Sequence, residues 1–209
     1  MRVHPLTIKL YYDHPTAGAW SVEDLSRFKG VIAVEDLNQE AFFKADGALA
    51  MFHDRLFRFL HTDGAIDLFS YVYFLLSSLV GLTEVTLPEE LERHRYELQI
   101  LGREEVVGYL GQNDHTHLFL QRRGDELLLS YLDEHGQAPN HRESPFFEGL
   151  VLQRDEFCAE ATLNLDVWVK VVNDMARWGP LYGDAQRIIT LWRQHRALLT
   201  PPPTPTPPG

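Results

Sequence analysis

Two imidazoles stand two positions apart in Asp114-His115-Thr116-His117. Residues two apart on a strand face the same side, so His115 and His117 could share one metal ion and are the metal-ligating candidates. No third ligand lies in their sequence neighbourhood, and polar residues also collect at a hairpin mouth for turn reasons alone. His53 and His61 are eight apart in a segment with helical periodicity and could line one helix face, although a partly exposed structural histidine meets the same description. His135 and His141 flank a polar loop beside Glu134 and Glu143, with nothing to orient them into a dyad. Cys158 has Asp155, Glu156 and Glu160 around it, neighbours that would raise its pKa and leave it a poor nucleophile.

Carboxylates are the more abundant chemistry. Thirty acidic residues against 19 Lys plus Arg give a formal net charge of −11, which repels nucleic acid and anionic membrane; a macromolecular partner, if there is one, is expected to be basic, and solubility alone accounts for the same charge. The clustered ones are Glu84, Glu89, Glu90 and Glu92 after a long apolar run, Glu104 and Glu105 at a turn, and Asp133, Glu134 and Glu143 around a polar loop. They could form one acidic, partner-binding face, or they could be the solvated rims of separate turns. There is no Gly-rich phosphate loop, nucleophile elbow or paired-cysteine zinc pattern, so no catalytic residue and no cofactor is expected.

The elements that position these groups are organised around Ile66 to Leu82. Between Leu68 and Leu82 there is no charged residue, and Ile66, Phe69, Tyr73, Leu76 and Val80 recur at steps of three or four beside a second stripe of Val72, Leu75 and Leu79. The run is short of the roughly 20 residues that cross a bilayer, and Asp67 and Glu84 bound it, so it reads as a buried central helix. Ser77 and Ser78 can bond back to carbonyls one turn earlier. Mid-helix serines of this kind have no strained turn and no base to make them nucleophiles.

Before this helix, Leu6 to Tyr12 alternates as a strand, Thr16 to Trp20 reads as a loop, Ser21 to Asp24 opens a helical turn, and Gly30 to Val34 reads as a short strand. Phe42, Phe43, Leu49, Phe52, Leu56, Phe59 and Leu60 suggest two helical pieces broken at Asp46-Gly47. After it, strands are expected at Tyr96 to Ile100, Val106 to Leu110, His117 to Gln121, Glu126 to Leu132 and Phe146 to Leu152, with turn residues between them. Phe157, Ala161, Leu165, Trp168, Val172 and Met175 mark a long helix with Asp155 as N-cap, ended by Gly179-Pro180. Asp184 then caps a second helix through Ile188, Leu191, Trp192 and Leu198.

The expected fold is α+β: an antiparallel β-meander of about five strands packed against the buried central helix and two C-terminal helices. One domain is expected over 1–199, helix-rich in its N-terminal half 1–92 and holding the sheet and two helices over 93–199, followed by a disordered Pro/Thr tail over 200–209. A lone cysteine and no apolar leader point to the cytoplasm.

Three sets of residues carry a family resemblance: the helix start Ile66-Asp67-Leu68, the strand Leu127-Leu128-Leu129-Ser130-Tyr131, and Asp155-Glu156-Phe157 opening a long helix after a strand. In this layout, from Asp67 to Trp178, the chain resembles small bacterial immunity-like proteins of polymorphic toxin systems. The resemblance implies a cytoplasmic, non-enzymatic protein that binds and neutralises a basic toxin domain, and it specifies apolar positions without a contact set. Two other functions fit the residues: a small metal-dependent enzyme or metal-binding protein using His115 and His117, and a structural homodimer subunit joined through Phe146, Phe147 and Trp178.

Overall fold

The computed structural model describes residues 6–14, 18–23, 47–53, 57–61, 67–83, 105–112, 116–133, 150–175 and 183–199. Within these the chain is α+β, with two four-stranded antiparallel sheets and three helices. The first sheet holds β1 (Thr7–His14), β2 (Gly18–Ser21), β3 (Gly47–His53) and β4 (Phe57–His61) in the order β2-β1-β3-β4. The second holds β5 (Val106–Gln112), β6 (Thr116–Arg123), β7 (Glu126–Asp133) and β8 (Leu150–Gln153) as a meander in sequence order. The helices are α1 (Leu68–Leu82), α2 (Arg154–Met175) and α3 (Gly183–Leu199).

Helix α1 joins the two sheets because nearly its whole circumference is apolar. Leu68, Tyr71, Val72, Phe74, Leu75, Leu76 and Leu79 are all buried, in one cluster that also holds Ile8, Leu10, Leu49 and Met51 of the first sheet and Leu118, Leu120, Leu127 and Leu129 of the second. Asp67 starts the helix, its Oδ1 accepting from the Ser70 amide at 2.8 Å, which satisfies one of the orphan donors of the first turn. Ser77 and Ser78 are buried and donate their hydroxyls to the Phe74 carbonyl at 2.9 and 2.7 Å. At the far end Arg154 Nη2 donates to the Leu82 carbonyl at 3.1 Å, so the first residue of α2 caps the last turn of α1.

The fit of α1 on the second sheet is set by small residues. A β-bulge between Val106 and Gly108 shifts the β5–β6 register, and both Val107 and Gly108 meet the helix there. A Cβ on Gly108 would collide with the Ser78 hydroxyl, and one on Gly81 would lie 2.5 Å from the Val107 carbonyl oxygen. Helix and strand therefore touch backbone to backbone. Gly47 plays the same part for the first sheet, where a Cβ would lie 2.6 Å from the Leu68 Cα.

Two expectations from sequence need correction. The N-terminal half is not helix-rich where it is described: β3 and β4 occupy Gly47–His53 and Phe57–His61, where helix was expected. Short apolar runs satisfy both periods, and here the pairing of β3 with β1 and β4 decides for strand. The loop expected over Thr16 to Trp20 contains most of β2, whose four residues pair Ser21↔Tyr11 through Gly18↔His14. The last strand of the meander, expected over Phe146 to Leu152, is strand over Leu150–Gln153, and the first residues of the expected span lie outside the described ones. The strands expected at Gly30 to Val34 and Tyr96 to Ile100 lie outside the described residues, and the meander has four strands among those described.

One connection joins parts of the chain far apart in sequence. Strand β2 pairs only Tyr11 to His14 of β1, which leaves the outward backbone groups of the first half of β1 to another partner. Helix α2 supplies it. Glu156 Oε2 accepts from the Leu6 amide at 3.4 Å, Glu160 Oε2 accepts from the Ile8 amide at 2.9 Å, and Asn164 Nδ2 donates to the Ile8 carbonyl at 2.8 Å. The spacing permits it: four residues of helix rise about 6 Å and two residues of strand about 6.8 Å, so side chains at i and i+4 keep step with every second strand residue.

Candidate functional site

Strand β6 carries His117, paired with Gly111 of β5 and Leu132 of β7. Its ring stacks on Tyr109 with centroids 5.9 Å apart, and its Nδ1 lies 2.9 Å from the Tyr109 hydroxyl. Tyr109 pairs Phe119, so Tyr109 and His117 are diagonal neighbours on one face. Val106 and Phe119 are buried on that face, in a small cluster with Tyr109 separate from the main core. The sequence signal for this arrangement was simple alternation, since Leu118 and Leu120 face α1 and the odd-numbered residues must face away. His115 lies outside the described residues. Among the described residues no group of three or more His, Cys, Asp or Glu side chains could hold a metal.

The other histidine pair is not placed as expected. His53 and His61 lie on β3 and β4, and the register sets His61 against Leu49 and His53 against Phe57. Four register steps along the hairpin separate them by about 13 Å. One helix face does not carry both, because the segment is a hairpin.

The acidic residues converge differently from the expected grouping. Glu105 immediately precedes β5, exposed, with a left-handed φ of 59° that is uncommon for a residue other than glycine. Its carbonyl accepts from the Arg122 amide at 2.8 Å, which seats it beside the β6–β7 turn. There Gly124 takes φ 61° and Asp125 follows, the glycine-first pattern of a type II′ hairpin. Glu126 pairs Gln153 at the end of β8, and the Asp125 carbonyl accepts from the Arg154 amide at 3.1 Å. One end of the second sheet thus gathers the exposed residues Glu105, Asp125, Glu126 and Asp155. Arg122 and Arg123 belong to the same end, and Arg154 is turned inward to Leu82.

Asp133 is at the opposite end of that sheet, paired with Thr116, so the structure separates it from Glu105. Glu84, Glu89, Glu90, Glu92, Glu104, Glu134 and Glu143 lie outside the described residues, as do His135, His141, Phe146, Phe147 and Trp178. Sequence reasoning missed Asp125, Glu126 and Asp155 as companions of Glu105. The hairpin turn Arg123-Gly124-Asp125 was readable, but not which strand ends it would meet.

Cys158 sits half-buried on α2. Burial pushes its thiol pKa up, Arg154 pulls it down and Asp155 adds a smaller upward push. The direction agrees with the expectation from sequence and the main cause does not: Glu156 and Glu160 spend their carboxylates on the β1 backbone.

No family model matches the chain, no curated protein is significantly similar to it, and no solved structure matches it significantly. No helix among the described residues is long and apolar enough to cross a membrane. Helix α1, which carries no charged residue, is 15 residues long.

Proposed function

We propose that this chain is a non-catalytic, acidic protein-binding module, an immunity-type protein that neutralises a basic toxin domain. The observation that carries the reading is the convergence of Glu105, Asp125, Glu126 and Asp155, all exposed, at one end of the second sheet. They stand on a backbone fixed by two tight hydrogen-bonded junctions, so the carboxylates are presented by rigid strand ends. The net charge of −11 acts in the same direction, steering a cationic surface toward the molecule and fixing its orientation more than adding raw affinity.

The test is co-expression with the product of the adjacent gene in the native genome, in a host sensitive to that product. Protection from toxicity, and a complex that weakens as salt rises, support the reading. Reversing charge with Glu105→Lys and Glu126→Lys is expected to slow association at low salt by about tenfold or more, with little change at high salt. A neighbour that neither binds nor harms the host would overturn the proposal.

A second reading, metal binding through His115 and His117, draws on the Tyr109–His117 contact. A hydroxyl held on Nδ1 fixes the ring orientation, as partners of metal-bound imidazoles do. Protein purified without an affinity tag and freed of metal should then gain thermal stability when zinc is added, and His117→Ala should abolish the gain. No shift in the native chain would sink this reading.

A further inference from the structure

Helix α3 carries a buried histidine. His195 is 3% exposed, and among the described residues neither its Nδ1 nor its Nε2 has a hydrogen-bond partner. Its ring lies 6.0 Å from that of Trp192, tilted by 36°. Trp192, Ile188, Ile189 and Ala185 of the same helix are buried in the main core. A neutral imidazole in such a place already leaves one donor and one acceptor unsatisfied, and an imidazolium would leave two donors and a charge.

We propose that His195 makes the docking of α3 acid-labile, so that protonation of this ring releases the helix from α1 and α2. The charged and titratable groups that the described structure places along these contacts offer the imidazolium no compensation. On α2, Asp166 accepts from Trp192 Nε1 at 2.9 Å and pairs with Arg196 at 3.3 Å, so its two oxygens are already engaged by α3. On α1, Tyr73 stands near Arg187 of α3, which lies two turns before His195 on that helix. Neither Asp166 nor Tyr73 bonds the His195 ring.

The sign follows from burial, which lowers the His195 pKa in the folded protein. In released α3 the ring titrates near its ordinary value of about 6.5. Docking is therefore undiminished above that pH. Below it the released form takes up the proton first, and the docking equilibrium shifts by up to about tenfold per pH unit until the folded pKa is reached.

Amide hydrogen exchange of the full chain between pH 7.5 and 5, corrected for intrinsic exchange, reads this directly. The expected result is that the opening constant of 183–199 rises by up to about tenfold per unit below pH 6.5 while that of α1 holds, and that His195→Phe removes the rise. An equal pH response in the native chain and the variant, or α1 and α3 opening together, would overturn the proposal. His195→Gln, uncharged at every pH, is the second variant with the same expectation. Should neither variant fold, the ring proton resonances of His195 in the native chain decide: titration at the ordinary value while α3 stays protected refutes acid release, and a neutral ring until α3 opens supports it.

Discussion

Glu160 accepts the amide proton of Ile8 at 2.9 Å across 152 positions of sequence. With Glu156 on Leu6 and Asn164 on the Ile8 carbonyl, it lets one side of a helix stand in for a missing strand. Replacing Glu160 by Ala leaves the Ile8 amide without its acceptor. The expected loss is about 1 to 3 kcal/mol in urea unfolding. A change below a few tenths of a kcal/mol would show that water replaces the carboxylate there without penalty.

The contact of Gly108 with Ser78 predicts a coupled pair. Gly108→Ala drives a methyl into the Ser78 side chain and is expected to destabilise by about 1 to 3 kcal/mol, the usual range for overpacking. Ser78→Ala in the same chain should return part of that loss, because it removes the hydroxyl that the methyl meets. A double-mutant cycle measures the interaction, and strict additivity would refute the close contact.

Leu76 is fully buried in the middle of α1. Leu76→Ala should cost about 2 to 5 kcal/mol through lost burial and a cavity. Leu76→Asp should leave no folded protein by circular dichroism, because no described group is placed to pair with the charge. A folded Leu76→Asp protein would mean that α1 is not the joint between the two sheets.

Cys158 should alkylate more slowly than free cysteine at pH 7, since its raised pKa reduces the thiolate fraction. The rate should keep rising with pH past the ordinary value of about 8.5, where that of free cysteine levels off. Burial holds the neutral thiol in the fold, so this residue's stability contribution is intact below that ordinary value and declines as pH rises past it. Arg154→Ala removes the opposing cation and should slow alkylation further. Reaction at the rate of an exposed cysteine would contradict the burial of the thiol.

How much of this was legible in the sequence depends on the range of the interaction that decides each element. Helix α1 was readable because Asp67, the uncharged run and the back-bonding serines are all local signals. Helix α2 was readable from its step of three and four, and Phe157, Ala161, Leu165, Trp168 and Val172 are all fully buried. Strands β5, β6 and β7 were bounded by turn residues. The β3–β4 hairpin was misread because Leu49, Phe52, Leu56, Phe59 and Leu60 fit a helical period equally well, and the choice rests on pairing with β1, some 40 residues earlier. The acidic end of the second sheet was half visible: Glu105 is local to a turn, whereas Asp155 reaches it only through the Arg154–Asp125 junction. The roles of Glu156, Glu160 and Asn164 left no sequence signal, since their partners are backbone atoms.

The same ladder sets a schedule for the molecule's birth. Leu6 and Ile8 leave the ribosome long before Glu156 and Glu160, and at about 5 to 20 residues per second the delay is roughly 8 to 30 s. Throughout that time the first half of β1 has no helix to close its open side, although β3 can already be made. A nascent chain halted before Asn164 therefore exposes an unclosed strand to any neighbour, including a second copy on the same message. The synthesis of α2, more than that of β1 itself, makes this sheet safe.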